Sequence, residues 1–387
     1  MTLDGSEELS VSIVWLVTLL WSFSTFITAA HLASIAVVAW AMSSARTSSK
    51  HQQPVTIVRP ISELYSRLHD TLESTFKLTY QKFEVILCAA RETDPAVKIA
   101  RSLIAEYPNV DARLLIGDVP FSQNPKLNNC VKGWEEARYD LIAVIDCNVL
   151  LPSDYLEQML SNWGRDVGLV SSPPVGAAPE NFWAEVECSF LNTYQGRWQL
   201  FAQELGIAYA HGKNLMVRRS LLARYGGIRA LADEPAEDAA ATKLMRSAGL
   251  KIALNREPFC QPLGTRSAAE VWKRQVRWAK LRRATFPSAF LPEIFSGSIL
   301  PLAASALAAA LMQLDLALVV AGHALLWFGA EMLLAYRARW PLSSTTLASM
   351  LIRDCMIPPL WLAALVSSRF EWGGHQMQTS AHLSEAD

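Results

Sequence analysis

The sequence predicts an α/β domain with a mostly parallel sheet, tied to a membrane by one N-terminal and about three C-terminal transmembrane or membrane-embedded helices. Three observations carry this. Residues 11–42 run without an acidic, Lys or Arg side chain, residues 55–163 alternate strand-like and helix-like segments, and three further apolar stretches follow residue 288. Composition agrees: with 51% hydrophobic and 18% charged residues among 387, the chain is too apolar for an ordinary soluble enzyme of this size.

The first apolar run exceeds the roughly 20 residues that a spanning helix needs. Asp4, Glu7 and Glu8 precede it, acidic where a cleaved signal would be basic, so it reads as an anchor. Arg46, Lys50 and His51 follow it, and the positive-inside rule then places the next domain in the cytosol. Strands are expected at 55–58, 83–88, 112–116 and 141–145, and helices at 63–76, 96–106, 127–138 and 155–163. This order implies right-handed crossovers and ligand binding at the carboxyl ends of the strands. Beyond residue 288 the candidate spans are 290–312, 314–336 and 347–366, the first two forming a hairpin. Arg337 and Arg339 at its return, and the basic residues 277–283 before it, fall on the same side as the soluble domain. Arg353 and Asp354 are costly in hydrocarbon and are expected to pair with each other or to lie near the interface. The chain thus divides into an anchor (1–42), a catalytic domain (43–265), an amphipathic interfacial helix (266–287), membrane helices (288–368) and a tail (369–387).

A net charge of -1, from 35 basic and 36 acidic residues, gives no reason to expect a nucleic-acid partner. The six cysteines form no C-x-x-C pair and read as reduced, buried residues. No glycine-rich phosphate loop is present, which lowers the weight of nicotinamide enzymes and NTPases.

Four segments carry candidate chemistry. Asp146 ends the strand 141–145, where a carboxylate can hold Mg²⁺ or Mn²⁺ against a diphosphate or simply cap a loop. Asn124-Pro125-Lys126-Leu127-Asn128-Asn129 brings a cation and amides to a helix entrance, suited to phosphate contact or to capping. Glu237-Asp238 opens a helix, as a general base or as plain charge complementarity to the helix N-terminus. Six basic residues crowd 272–283, as on a helix lying at a bilayer surface, unless Arg274 or Arg277 reaches a departing diphosphate. Phe182, Val186, Phe190, Tyr194 and Trp198 form a stripe that reads as core or as a lipid access path.

These segments resemble ceramide glucosyltransferases from about residue 55 through the hairpin. The carriers include Ile57-Val58-Arg59-Pro60, Leu78-Thr79-Tyr80-Gln81-Lys82-Phe83-Glu84, Tyr107-Pro108-Asn109-Val110-Asp111-Ala112, the Asn124–Asn129 run and Tyr139-Asp140-Leu141-Ile142. Glu237-Asp238 and Arg274-x-x-Arg277-Trp278 look like the Asp and (Gln/Arg)-x-x-Arg-Trp signatures of inverting, processive-type glycosyltransferases. The resemblance implies a GT-A-type nucleotide-binding fold, a UDP-sugar donor such as UDP-glucose, a Mg²⁺ or Mn²⁺ ion at Asp146, Asp238 as base, and inversion to a β-glycosyl lipid. It also implies nucleotide-sugar contacts from Arg59, Pro60, Glu92, Asp94, Lys126, Asn128, Asp146, Arg274, Arg277 and Trp278. Two departures stand out. Arg91 occupies the place of an early family aspartate, so Glu92 or Asp94 would have to serve the nucleotide, and Gln195 stands where animal enzymes carry an acceptor-associated histidine. The acceptor is therefore ceramide or diacylglycerol. Rival readings are a polysaccharide synthase, which needs more helices to make a pore, and a non-catalytic membrane scaffold. The expected setting is a bacterial inner membrane, with a multi-pass chain whose catalytic domain faces the cytosol.

Overall fold

The computed structural model describes residues 5–43, 53–62, 66–372 and 375–378. Asp4, the flanking Arg46, Lys50 and His51, and positions 63–65 of the first expected soluble helix lie outside the described residues. The chain opens with the long helix α1 (Gly5–Ser43). Strands and helices then alternate: β1 (Val55–Ile61), α2 (Leu68–Phe76), β2 (Phe83–Ala89), α3 (Pro95–Glu106), β3 (Ala112–Ile116), α4 (Pro125–Glu135), β4 (Leu141–Ile145) and α5 (Tyr155–Ser161). Local chemistry sets these boundaries. Asp94 and Asn124 cap α3 and α4 through their side chains, each followed by a proline at the first helical position. β1 is buried at every position, as a central strand covered on both faces must be.

After α5 the pattern changes. Next come β5 (Val167–Ser171), β6 (Val175–Pro179), α6 (Phe182–Ser189), a π-helical turn (Phe190–Gly196) and α7 (Arg197–Glu204). They are followed by β7 (Asn214–Arg218), α8 (Arg219–Ala223), a 3₁₀ segment (Gly227–Asp233), α9 (Glu237–Ser247), β8 (Lys251–Leu254), β9 (Cys260–Gly264) and α10 (Ala268–Thr285). Seven strands form one sheet in the order β3-β2-β1-β4-β7-β5-β8, and β6 pairs with β9 in a second. β7 runs antiparallel to both β4 and β5.

The expected fold class needs correction. The sequence predicted a single GT-A-type unit with a mostly parallel sheet and separate membrane helices. The sheet is mostly parallel, as expected, with β7 alone reversed, but a second small sheet stands beside it, and α6, the π-turn and α7 are built into the membrane helices. The stripe shows this: Val186, Phe190 and Tyr194 pack against Val271 of α10 and against Ile357 and Leu360 of the C-terminal helix α14 (Thr346–Val366). It is core joining the two parts, so a single GT-A-type domain does not describe the molecule.

The remaining elements are α11 (Pro287–Phe290), a 3₁₀ turn (Leu291–Phe295), α12 (Ile299–Leu311), α13 (Leu316–Arg337) and the terminal strands β10 (Arg369–Trp372) and β11 (His375–Gln378). Among the described residues three helices are long and apolar enough to cross a membrane: 11–43 within α1, α13 and α14. The expected span 290–312 is instead a pair, Pro287–Phe295 and Ile299–Leu311, bent by 40°. The break is held in place because Ser298 N donates to Asp354 Oδ2 at 2.9 Å, satisfying a backbone group that hydrocarbon would leave bare. The chain is thus a multi-pass membrane protein.

Arg353 and Asp354 do pair, at 2.7 Å, and they have company. Arg353 also donates to Glu331 Oε2 of α13 at 2.9 Å and to Thr193 Oγ1 of the π-turn at 2.7 Å. The fully buried Arg197 of α7 approaches Glu331 at 3.9 Å, donates to Thr193 O, and bonds Ser34 of α1. Glu331 thus neutralises two buried guanidinium groups from different elements. Glu331→Ala leaves Arg197 without its acidic partner and Arg353 with Asp354 alone, and is expected to cost about 3–5 kcal/mol. Thermal unfolding in detergent reads this as a large fall in Tm, against little change for Leu325→Ala on the outer face of α13; equal stability of the two variants would refute the role.

Candidate active site

Four segments meet where β4 ends. Asp146 follows β4 directly, and Arg59 fixes its backbone. That guanidinium, buried in β1, donates to Asp146 O at 2.7 Å and Val149 O at 2.9 Å, and on its other side to Thr71 O and Thr75 Oγ1. The Asp146 side chain is 20% exposed and lies between two lysines, with Lys126 Nζ 2.7 Å from Oδ1 and Lys213 Nζ 2.7 Å from Oδ2. Burial opposes its charge, but the two ammonium groups outweigh burial and hold the carboxyl well below the usual carboxylate range.

Lys126 sits in the first turn of α4, whose cap Asn124 also donates to Glu237 Oε2 at 2.7 Å. The Lys126 ammonium contacts Glu237 Oε1 at 2.7 Å and Gly212 O as well as Asp146. Glu237 is therefore spent on Asn124 and Lys126, and it is buried. Asp238, the next residue, has different partners. Its Oδ2 accepts from Gly212 N at 2.7 Å and its Oδ1 from Ala239 N at 2.8 Å. Burial and the neighbouring Glu237 push Asp238 up to about 6, in spite of the Gly212 N–H and Lys126.

Gly212 joins the two carboxylate centres. A Cβ there would come within 2.8 Å of Glu237 Oε1 and 3.4 Å of Asp238 Oδ2, so a larger residue would have to push the Glu237 carboxylate off its partners. On one side of it His211 meets the Trp278 ring edge to face at 5.6 Å. Burial, with Lys213 beside it, pulls the His211 imidazole down to about 3, and its Nδ1 accepts from Lys213 N at 3.3 Å. On the other side Lys213 reaches both Asp146 and Asn148 Oδ1, the latter at 2.9 Å.

The residues expected from the sequence separate accordingly. Lys126, Asp146 and Asp238 converge, with Trp278 beside them through His211. Arg59 and Pro60 are buried inside the sheet, where Arg59 acts on the loop after β4 instead of on the surface. Asn128 is buried too, its Oδ1 accepting from Ser122 N and Oγ and its Nδ2 donating to Ser122 O. Glu92 and Asp94 stand after β2, Glu92 paired with Arg101 at 2.6 Å and Asp94 bonded to Ala96 N as the α3 cap. Arg274 is turned toward the protein: it pairs with the buried Glu187 of α6 at 2.9 Å, lies 4.7 Å from the Trp278 ring centroid and is 15% exposed. Arg277 is half-buried on the same helix. Helix α10 does not behave as a free interfacial helix: Arg282 pairs with Glu293 at 2.6 Å, and Lys280 donates to Arg369 O.

His211, Gly212 and Lys213 escaped the sequence reading for a topological reason. Parallel strands deliver the residues that follow them to the ligand edge, but antiparallel β7 delivers the residues before it, with Asn214 in register with Ile145.

The profile described as Glycosyl transferase family 21 matches residues 19–383. Ceramide glucosyltransferase 3 of Caenorhabditis elegans is 28% identical over 329 residues, 82% of this chain and 71% of that protein. Ceramide glucosyltransferase 1 of the same organism is 30% identical over 62% of this chain, and the Komagataella phaffii ceramide glucosyltransferase 30% over 59%. The aligned part spans only 52% and 56% of the length of these last two relatives. Among solved structures, the mannosyltransferase PcManGT from Pyrobaculum calidifontis, determined with GDP-Man and Mn²⁺, is similar with a TM-score of 0.52 at 18% identity. That likeness concerns the fold and covers 90% of this chain and 98% of the other. The expected resemblance to ceramide glucosyltransferases thus holds over most of the sequence, and the chain belongs to glycosyl transferase family 21.

Proposed function

We propose that the protein transfers glucose from UDP-glucose to the hydroxyl of a membrane lipid, ceramide before diacylglycerol, with inversion to a β-glycosyl lipid. The observation that carries this reading is the link Asp146–Lys126–Gly212–Asp238, which sets a diphosphate-facing charge cluster beside a carboxylate of raised pKa, in a fold built into membrane helices. Asp238 is the base: each oxygen takes one backbone N–H, which leaves further lone pairs to accept the proton of the attacking hydroxyl. Lys126 and Lys213 meet the departing UDP, with Arg277 of α10 as a further phosphate partner.

Among the described residues no group of three or more His, Cys, Asp or Glu side chains is arranged to hold a metal. One carboxylate with a neutral oxygen, Asp146 with Asn148, suits Mg²⁺ or Mn²⁺ when the substrate's own phosphates complete the ligand set. Such an ion would neutralise charge on the leaving diphosphate. The catalytic face lies on the cytosolic side of a bacterial inner membrane; Arg337 and Arg339, at the end of α13 nearest the soluble part, support that orientation.

Mass spectrometry of lipids from a host that supplies both ceramide and diacylglycerol tests the assignment. A new hexosylceramide is expected, and no new glycolipid of either class would overturn it. The pH dependence gives a second test. Asp238 must be ionised to accept a proton, and its carboxyl is held near 6. Accordingly kcat/KM should rise with pH through about 6 and fall about tenfold per unit below it. A profile flat through that region removes Asp238 from the role.

A further inference from the structure

The oxygens a divalent cation would use each already face an ammonium group. Lys213 Nζ lies 2.7 Å from Asp146 Oδ2 and 2.9 Å from Asn148 Oδ1, and Lys126 Nζ lies 2.7 Å from Asp146 Oδ1 and from Glu237 Oε1. Each Asp146 oxygen keeps a further lone pair, but a metal that took it would sit beside two ammonium groups in a partly buried site where repulsion is weakly screened. Lys126 is held by three partners: Asp146, Glu237 and the Gly212 carbonyl. The Lys213 ammonium donates to the two prospective metal ligands, Asp146 and Asn148. Its backbone is fixed, because Asp146 N donates to Lys213 O at 3.1 Å and Lys213 N to His211 Nδ1. The ammonium is carried on a four-carbon stem with rotatable bonds, so it can change partner while that backbone stays in place.

We propose that Lys213 is the resident cation of the donor site, holding Asp146 and Asn148 in the nucleotide-free protein so that a divalent metal enters only together with a nucleoside diphosphate. The diphosphate brings the negative charge that makes room for a metal, and it offers Lys213 a phosphate oxygen in exchange for Asp146. This rests on the reading of Asp146 as the metal-facing carboxylate of a UDP-sugar site, and it adds an order to binding: nucleotide before, or with, metal. It also means that UDP keeps appreciable affinity without any metal, through Lys126 and Lys213.

The test uses the full chain in detergent, with Mn²⁺ and UDP as probes. Free Mn²⁺ is read from its paramagnetic resonance signal and UDP binding from calorimetry in EDTA. In the wild type, UDP should tighten Mn²⁺ binding by about tenfold or more. Lys213→Met should take up Mn²⁺ without UDP and bind UDP in EDTA about tenfold more weakly, whereas Lys213→Arg, which keeps the charge, should hold its UDP affinity in EDTA. Equal Mn²⁺ uptake by the wild type with and without UDP overturns the proposal while leaving Asp146 as the metal residue. That arm needs no variant, so it decides the matter even if Lys213→Met does not fold. If neither protein takes up Mn²⁺ with UDP present, the metal reading of Asp146 falls instead. The resident-cation role is then decided in EDTA, where weaker UDP binding by Lys213→Met supports it and unchanged binding overturns it.

Discussion

Asp238→Asn is expected to lower kcat by roughly 10²-fold or more while UDP-sugar affinity stays close to that of the parent. The substitution keeps the size of the side chain and removes its basicity. It also turns an amide NH₂ toward one of two backbone donors, Gly212 N or Ala239 N, each of which now meets a carboxylate oxygen. One of those hydrogen bonds is lost, at a stability cost of about 1 kcal/mol, which a Tm measurement separates from the kinetic effect. The lysines that face the diphosphate are untouched, so donor affinity should hold. Calorimetric titration with UDP and single-turnover rates measure the two quantities apart. Turnover near the parent rate would place the base elsewhere, and the structure makes Glu237 a poor substitute: its oxygens are engaged by Lys126 and Asn124, and it is buried.

Much of the fold was legible because it follows from local rules. The strands at 112–116 and 141–145 match to the residue; α3 and α4 begin a residue or two earlier than expected, where Pro95 and Pro125 occupy the first turn, and α4 ends at Glu135 instead of 138. The sheet's mixed character was not legible. Strand β7 has the same buried, apolar pattern whichever way it runs, and its direction is decided by where the long excursion through α6 and α7 returns the chain. The site inherited both outcomes. Asp146, Lys126 and Asp238 were found because each stands at the end of a strand or the start of a helix. Arg59, Asn128 and Arg274 have phosphate-binding chemistry, but tertiary packing turns them inward to Asp146 O, Ser122 and Glu187. A one-dimensional motif shows which group is available and not which way it faces.

Asp146→Asn separates the work of the carboxylate from that of the lysines around it. The substitution removes the one negative charge that Lys126 and Lys213 share, leaving Lys126 with Glu237 and Lys213 with Asn148 Oδ1. Both ammonium groups then become freer to meet a diphosphate, so UDP affinity in EDTA should be retained or improved. Addition of Mn²⁺ should give no further gain, because a neutral amide oxygen is a weak ligand for a hard divalent cation. Turnover should nevertheless fall by roughly 10²–10³-fold, the scale of losing one charge-stabilising group from a transition state. Binding that survives while catalysis fails is the opposite of what a purely structural aspartate would give, since loss of the β4 loop should weaken UDP and lower Tm together. The loop itself is held by Arg59 through the Asp146 and Val149 carbonyls, which the substitution leaves in place. Calorimetry with and without Mn²⁺, paired with UDP-release rates, reads the outcome. If Mn²⁺ still strengthens UDP binding in Asp146→Asn, the metal is held by other groups and the charge cluster at the end of β4 acts through its lysines alone.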